Sequence, residues 1–162
     1  MKRRYRIYLE TSFWDRLGDR QNLEMRRITY RFLNRSCRIH DILVSPIVCH
    51  EIEETPDPQE RTIIQRQLQG TRAEVVGENA KARRIAGQLL ERGGFGERML
   101  ADLLHVSYAI LGRANAMVTW DRRTLARQGV RTVVQAYCAR EGRAAPLIGV
   151  PEDVARWLEL AM

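Results

Sequence analysis

The stretch LADLLHVSYAILGRANAMVTWDRR, residues 100–123, contains the pattern that decides the fold. Its apolar residues recur at helical spacing up to Leu111, and Gly112 is typical of the residue that follows a helix. The apolar run at residues 116–120 predicts a short buried strand with Asp121 at its carboxyl end. Because ligands bind at the carboxyl edge of open parallel sheets, Asp121 is a candidate functional residue.

Asp102 and His105 lie on the predicted helix of this stretch. Apolar residues surround Asp102, and a buried carboxylate needs a backbone donor, a cation or a metal ion as its partner. His105 follows Asp102 by one turn, so it either contacts a substrate or packs as a hydrogen-bonded neighbour. The second interpretation is favoured because it is the more common role of a lone helix histidine.

Two more acids follow predicted strands nearer the start of the chain. Residues 5–9 predict a first strand that ends beside Glu10 and leads into a helix start. Residues 41–45 predict a second strand, and Pro46 then opens a helix that carries Glu51. Glu10 and Glu51 are therefore expected near the edge that holds Asp121.

The remaining segments continue to alternate between helix and strand. Helices are predicted at residues 23–37, 60–68, 79–92, 122–127, 137–141 and from Pro151 onward, and strands at residues 73–76, 130–134 and 147–150. This alternation predicts an α/β fold, a three-layer α/β/α sandwich around a mostly parallel sheet of four or five strands. With 162 residues and 44% apolar content, residues 1–162 are expected to form one domain.

The four acids share one chemical consequence if the sheet forms as predicted. Carboxylates gathered at one edge repel each other unless cations neutralise them. Oxygen ligands of this kind, together with a phosphate substrate, favour Mg²⁺ or Mn²⁺. The sequence therefore predicts a metal-dependent site for phosphodiester cleavage.

The charge of the chain points to nucleic acid as a partner. Twenty-seven Lys and Arg residues against twenty Asp and Glu residues give a net charge of +7, and arginine suits bidentate recognition of phosphate. A GC-rich genome or a high working temperature would also explain an arginine excess. One helix face carries an arginine stripe, which is either a solvated surface or a contact for a phosphate backbone or an acidic protein: Arg27, Arg31, Arg35 and Arg38.

The cysteines and the apolar runs indicate where the protein works. Cys37, Cys49 and Cys138 are odd in number and lack CxxC spacing, so the sequence predicts neither a zinc site nor a disulfide framework. No run approaches the roughly 18 apolar residues of a membrane span. We therefore expect a soluble, cytoplasmic protein without membrane contacts.

Four segments together resemble motifs of the PIN-domain family of Mg²⁺-dependent nucleases, and in particular the small VapC-like toxins. They are IYLETS at residues 7–12, SPIVCHE at 45–51, ADLLH at 101–105 and VTWD at 118–121. PLIGVPE at residues 146–152 also resembles the closing strand and helix start of the family. Each motif is weak alone, but four in this order, each with an acid, make a stronger signal.

The resemblance implies an endoribonuclease that is the toxin of a VapBC-like toxin–antitoxin pair. In it, carboxylates hold one or two Mg²⁺ ions and activate a water for in-line attack on RNA: Glu10, Glu51, Asp102 and Asp121. It also implies a cognate antitoxin protein as partner and a homodimer. Arg122 and Arg123 are expected to contact substrate phosphates.

The chain departs from the family pattern at Glu10, where the family usually has Asp. The extra methylene displaces the carboxylate, and Mg²⁺ tolerates distorted coordination poorly. Thr11 and Ser12 are expected to orient Glu10, and Thr119 to support Asp121. The alternative function is a PIN-like module that binds RNA or a protein without cleavage. The four acids favour the nuclease, because a pure binder does not need carboxylates that repel each other.

Overall fold

The central sheet of the structure is parallel throughout. Within residues 3–162, the part of the chain that the computed structural model describes, it has five strands. They are β1 (Arg6–Leu9), β2 (Asp41–Val44), β3 (Glu74–Val75), β4 (Ala116–Val118) and β5 (Leu147–Gly149). Their order across the sheet is β3-β2-β1-β4-β5, and every neighbouring pair is parallel. The prediction of an α/β fold with a mostly parallel sheet of four or five strands is confirmed.

Helices cover both faces of this sheet. In chain order they are α1 (Thr11–Gly18), α2 (Leu23–Ser36), α3 (Pro46–Glu53), α4 (Pro58–Thr71), α5 (Ala80–Gly93), α6 (Leu100–Leu111), α7 (Gln128–Arg140) and α8 (Pro151–Trp157). Successive side chains of β1 point to opposite faces, yet Ile7, Tyr8 and Leu9 are all fully buried. Both faces must therefore be covered, which gives the predicted three-layer sandwich.

The strand register brings several strand ends to one place. Tyr8 in β1 pairs with Leu43 in β2 and with Met117 in β4, so the three strands run side by side with little stagger. The backbone N–H of Glu10 continues the ladder by donating to Val118 O over 3.1 Å. The residues that follow β1, β2 and β4 therefore meet at the carboxyl edge of the sheet.

Helix α6 has the bounds that the apolar spacing predicts. Leu103, Val106 and Ala109 are fully buried on one face, and the helix packs against α5. Gly112 follows the helix in a tight space, since a Cβ there would lie 2.8 Å from Cγ2 of Val76. Only glycine fits this position without a shift of its neighbours, so the chain turns from α6 into β4 here.

Residues 130–134, predicted as a strand, are part of helix α7, so that prediction was wrong. The buried residues of α7 are Val130, Val134, Tyr137 and Cys138, which recur at helical spacing along one face. The β-branched valines suggested a strand, but packing of this apolar face against α5 stabilises the helix. The helix predicted at residues 137–141 lies at the end of α7.

The short basic helix predicted at residues 122–127 is also absent from the described structure, where these residues form consecutive turns. The Oδ1 atom of Asp121 accepts hydrogen bonds from the backbone N–H groups of Arg123 and Thr124, over 3.2 and 2.9 Å. A side chain that binds the backbone two and three residues ahead favours a turn over a continued helix.

Smaller differences concern the bounds of other elements. The helix predicted at residues 60–68 extends from Pro58 to Thr71, because Asp57 caps its start by accepting from Gln59 N and Glu60 N. The strand predicted at residues 73–76 contains two residues, Glu74–Val75. In the described part of the chain, no helix has the length and apolar character needed to cross a bilayer.

Candidate functional site

The carboxyl edge of the sheet holds the four acids that the sequence predicted as site residues. Glu10 follows β1, and Asp121 lies three residues after β4. Glu51 lies on α3, which follows β2, and Asp102 lies in the first turn of α6. The four acids form two linked groups, one around Glu10 and Glu51 and one around Asp102 and Asp121.

Glu10 is buried, with 6% of its surface exposed, and one of its carboxylate oxygens is surrounded by donors. Oε2 accepts hydrogen bonds from Ser12 N over 3.1 Å, from Thr119 Oγ1 over 2.8 Å and from Ser12 Oγ. The bond from Ser12 N caps helix α1, whose N-terminus favours a negative charge. Oε1 lies 3.9 Å from Nε2 of His105. One oxygen is thus fixed, while the other faces the interior of the site.

The three hydroxyl residues expected to support the acids contact them in a partly different arrangement. Ser12 contacts Glu10, as expected, but Thr11 donates to Oε1 of Glu51 over 2.9 Å. Thr119 donates to Glu10 and accepts from the backbone N–H of Asp121 over 3.0 Å, so it links these two acids. The difference for Thr11 arises because Thr11 and Ser12 begin α1 and point in different directions.

Glu51 is half-buried and has two donors on Oε1, namely Thr11 Oγ1 and Nε2 of His105, the latter at 2.6 Å. Partial burial opposes ionisation of this carboxyl. The hydrogen bond and the charge of His105, followed by the hydrogen bond from Thr11, outweigh burial and lower its pKa. Glu51 is therefore ionised and oriented at neutral pH.

His105 is almost completely buried, with 2% of its surface exposed. Nδ1 lies 2.9 Å from the hydroxyl of Tyr8, which in turn lies 2.8 Å from Oγ of Ser45. Burial raises the pKa of Tyr8 well above its usual value, so the phenol keeps its proton. Of the two interpretations of His105, the structure supports the packed, hydrogen-bonded neighbour.

Asp102 and Asp121 form the second group. Partial burial raises the pKa of Asp102, and the charges of Asp121 and then Glu10 raise it further, while the charge of His105 and a hydrogen bond from Thr124 oppose this. Asp121 accepts from Thr124 N over 2.9 Å and also from Thr124 Oγ1. Asp121 and Glu10 therefore both lie close enough to Asp102 to oppose its negative charge, and a cation beside Asp102 would relieve that repulsion.

Asp15 is a fifth acid at this edge, which the sequence interpretation missed. Its pKa is raised to about 6 by partial burial and by the charges of Glu10 and Glu51. It lines a cavity of about 560 Å³, together with Thr11, Glu51 and other residues of α1, α3 and α4. One signal could have identified it, because Asp15 lies one helical turn after Thr11 on the same face of α1.

The basic residues near the site are exposed. Arg122 and Arg123, expected to contact phosphates, follow Asp121 directly, and a guanidinium nitrogen of Arg122 lies 3.7 Å from Glu152. Along α2 and just beyond it, the arginine stripe is exposed and has no ion pair among the described residues: Arg27, Arg31, Arg35 and Arg38.

The donors at this edge fit a small divalent cation. In residues 3–162 no three His, Cys, Asp or Glu side chains lie close enough together to form a complete metal site. Mg²⁺ does not require one, because it usually keeps several waters and binds one or two carboxylates together with substrate phosphates. Glu10, Asp102 and Asp121 supply oxygen ligands that repel each other without a cation, which is the donor chemistry that Mg²⁺ or Mn²⁺ prefers.

Comparisons with known proteins add a structural similarity. No protein-family model matches the sequence, and no curated protein matches it. The chain is similar to a chain in the crystal structure of VapBC2 from Rickettsia felis bound to a DNA fragment from their promoter. The TM-score is 0.59 at 19% identity, over 90% of this chain and 98% of the other. At this identity the likeness establishes the fold alone.

Proposed function

We propose that this protein is a Mg²⁺-dependent endoribonuclease that hydrolyses phosphodiester bonds of RNA. The observation that carries the proposal is the placement of Glu10, Asp102 and Asp121 at the carboxyl edge of a parallel sheet, where Asp121 and Glu10 both raise the pKa of Asp102. Repelling carboxylates at such an edge destabilise the metal-free protein, and a divalent cation explains why all three are present.

The residues of the chain have separate tasks in this reaction. Glu10, Asp102 and Asp121 would hold Mg²⁺ or Mn²⁺, with Glu51 beside them. When bound, the cation would neutralise charge at the phosphate and lower the pKa of a coordinated water, which makes that water a better nucleophile. Ser12 and Thr119 hold one oxygen of Glu10, so that this carboxylate does not reorient during the reaction. Arg122 and Arg123 bind phosphates of the RNA.

The test is cleavage of single-stranded RNA by the purified protein. We expect cleavage with Mg²⁺ or Mn²⁺, products with 5′-phosphate ends, and loss of cleavage when EDTA removes the metal. Glu51→Gln should lower the rate at least about tenfold. Glu53→Gln, the same change at an exposed position of the same helix, should not. Cleavage that resists EDTA or leaves cyclic phosphates refutes the mechanism.

We also propose an antitoxin protein as partner. The support is the shared fold with a chain of VapBC2, whose crystal structure contains a DNA-bound complex. On this proposal the chain is the toxin of a VapBC-like pair and forms a homodimer. Copurification of this chain with the product of the adjoining gene, followed by light scattering, tests both points. A monomer without a copurifying partner contradicts them.

A PIN-like module that binds RNA or a protein without cleavage is the second candidate. It is favoured by the three hydrogen bonds to Oε2 of Glu10, because a carboxylate that caps a helix has a structural role without any cation. Wild-type protein that binds RNA, but neither binds Mn²⁺ nor cleaves, supports this candidate over the nuclease.

A further inference from the structure

A buried chain of polar side chains leads from the end of β2 to Glu51. Oγ of Ser45 lies 2.8 Å from the hydroxyl of Tyr8, that hydroxyl lies 2.9 Å from Nδ1 of His105, and Nε2 of His105 lies 2.6 Å from Oε1 of Glu51. Ser45 and Tyr8 are fully buried and His105 nearly so. Glu51 is the one half-buried member of the chain, so the chain ends where the site begins.

The hydrogen bonds of this chain fix the ring of His105. An ionised carboxylate can only accept, so Nε2 carries a proton and donates it to Glu51. The hydroxyl of Tyr8 can donate or accept, so it satisfies Nδ1 on the other side of the ring, and Ser45 bonds that hydroxyl in turn. A turn of the ring by half a revolution would place carbon atoms against both partners. The ring therefore has one favourable orientation.

The fixed ring in turn orients the carboxylate of Glu51. Oε1 accepts from both His105 and Thr11, which come from different helices. Among the described residues, no donor lies within hydrogen-bond distance of Oε2. One oxygen of Glu51 is thus held by the protein, and the second is left for another ligand.

Packing alone does not explain these polar residues. Leu, Phe and Ala would fill the positions of His105, Tyr8 and Ser45 without burying polar groups, which is costly unless every group is hydrogen-bonded. Beyond a cap of α3 at Val48 N, the hydrogen bonds of the chain lead to Glu51, and Nε2 of His105 also lies 3.9 Å from Oε1 of Glu10.

We propose that His105, held by Tyr8 and Ser45, is a positioning residue that orients Glu51 toward the divalent cation of the site. This inference rests on the proposed function, since it assumes that a cation binds beside Glu51. His105 is almost completely buried, so on this proposal it acts through the carboxylate of Glu51.

The experiment compares Mn²⁺ binding by calorimetry in the wild-type protein and four variants. His105→Leu removes the donor to Glu51, and His105→Gln restores an N–H group at about the position of Nε2. Tyr8→Phe removes the hydroxyl that holds the ring, with a smaller change in shape. Ser107→Ala is the control, because Ser107 is also fully buried on α6 but donates only to Leu103 O of its own helix.

We expect His105→Leu to weaken Mn²⁺ binding about 10- to 100-fold. Tyr8→Phe should weaken it in the same direction but less, His105→Gln should recover most of the affinity, and Ser107→Ala should leave it unchanged. Melting temperatures, measured without metal, separate these effects from general destabilisation. If His105 has a structural role alone, the variants lose thermal stability but their Mn²⁺ affinities do not follow the order expected here.

Three results overturn the positioning role while the proposed function stands. They are wild-type affinity in His105→Leu, equal losses in His105→Leu and His105→Gln, and an equal loss in the control. If His105→Leu does not fold, wild-type Mn²⁺ affinity in Tyr8→Phe overturns the positioning role instead. Wild-type protein that binds no Mn²⁺ is a different outcome, because it refutes the proposed function itself.

Discussion

Replacement of Glu10 by Gln separates the structural and the metal-binding roles of this acid. The carboxylate oxygen Oε2 accepts three hydrogen bonds, two from Ser12 and one from Thr119. The amide oxygen of Gln can accept the same bonds, so the shape of the network is kept. What is lost is the negative charge, both on the bonded oxygen and on the one that faces the site.

The cost of the substitution can be worked out from these bonds. A hydrogen bond to a charged acceptor contributes about 1.5–3 kcal/mol and a neutral one about 0.5–1.5 kcal/mol, so each bond loses about 1 kcal/mol. Three bonds would lose about 3 kcal/mol. Removing the charge also relieves the repulsion that raises the pKa of Asp102. We therefore expect Glu10→Gln to lower the free energy of unfolding by about 1–2 kcal/mol without metal.

Urea unfolding in EDTA measures this difference, and calorimetry with Mn²⁺ measures the second role. If Glu10 is a metal ligand, Glu10→Gln also weakens Mn²⁺ binding and cleavage, and Glu10→Asp has a milder effect or shifts the preference between Mg²⁺ and Mn²⁺. Glu24→Gln is the control, because Glu24 is exposed in the first turn of α2 and should change stability by less than about 0.5 kcal/mol. Unchanged stability refutes the hydrogen-bond reasoning, and lost stability with unchanged Mn²⁺ binding leaves Glu10 as a helix cap.

Three further predictions concern other acids and one glycine. Asp102→Asn should abolish cleavage yet leave the metal-free protein at least as stable, because the raised pKa of Asp102 shows that its charge is unfavourable there. Asp121→Asn should lower the free energy of unfolding by about 1 kcal/mol, because it weakens the hydrogen bonds to the following turn. Equal losses of stability in the two variants, measured by urea unfolding, contradict this. Asp15→Asn should stabilise the protein above about pH 6. Because the pKa of Asp15 is raised to about 6, the native state binds more protons than the unfolded state between about pH 4 and 6, so wild-type stability falls as the pH rises through that window. Partial exposure limits the gain to about 1 kcal/mol, and melting curves that show the same difference at pH 3.5 and pH 8 would argue against it. Gly112→Ala should lose about 1–3 kcal/mol, because the added methyl lies 2.8 Å from Val76; a wild-type melting temperature would show that the neighbours move freely.

The sequence predicts the central strands well because the residue pattern that specifies them is local. Residues 5–9 and 116–120 combine apolar runs with turn signals, and β1 and β4 lie within them. The order of strands and helices then places Glu10 and Asp121 at one edge without further information. This part of the site follows from topology, since all parallel strands end on the same side.

The errors arise where tertiary contacts decide. Val130 and Val134 favour a strand by residue type but face α5 one helical turn apart, and only the packing distinguishes these possibilities. The basic segment at residues 122–127 has helical composition, but the carboxylate of Asp121 binds its backbone first. Local composition does not reveal which donors a nearby carboxylate reaches.

The position of Asp15 on the face of Thr11 could be read from helical spacing, but its raised pKa could not be predicted. Its raised pKa depends in part on how α1 approaches α3 and α4, since Glu51 and much of the cavity lining are far away in sequence, whereas Glu10 lies only five residues before Asp15. The same holds for the buried chain behind Glu51, where the Tyr8 and His105 atoms that touch belong to residues 97 positions apart.

The position of β1 between β2 and β4 has a consequence for the time at which the site forms. The bond from Thr119 to Glu10 joins residues 109 positions apart, so it closes a very large loop and can form only after most of the chain exists. During synthesis β1 can pair with β2 early, but its other side stays open until β4 leaves the ribosome. On the proposed function, a nascent chain therefore carries no assembled carboxylate cluster, and the ribosome that makes this protein is not exposed to its activity before the chain is nearly complete.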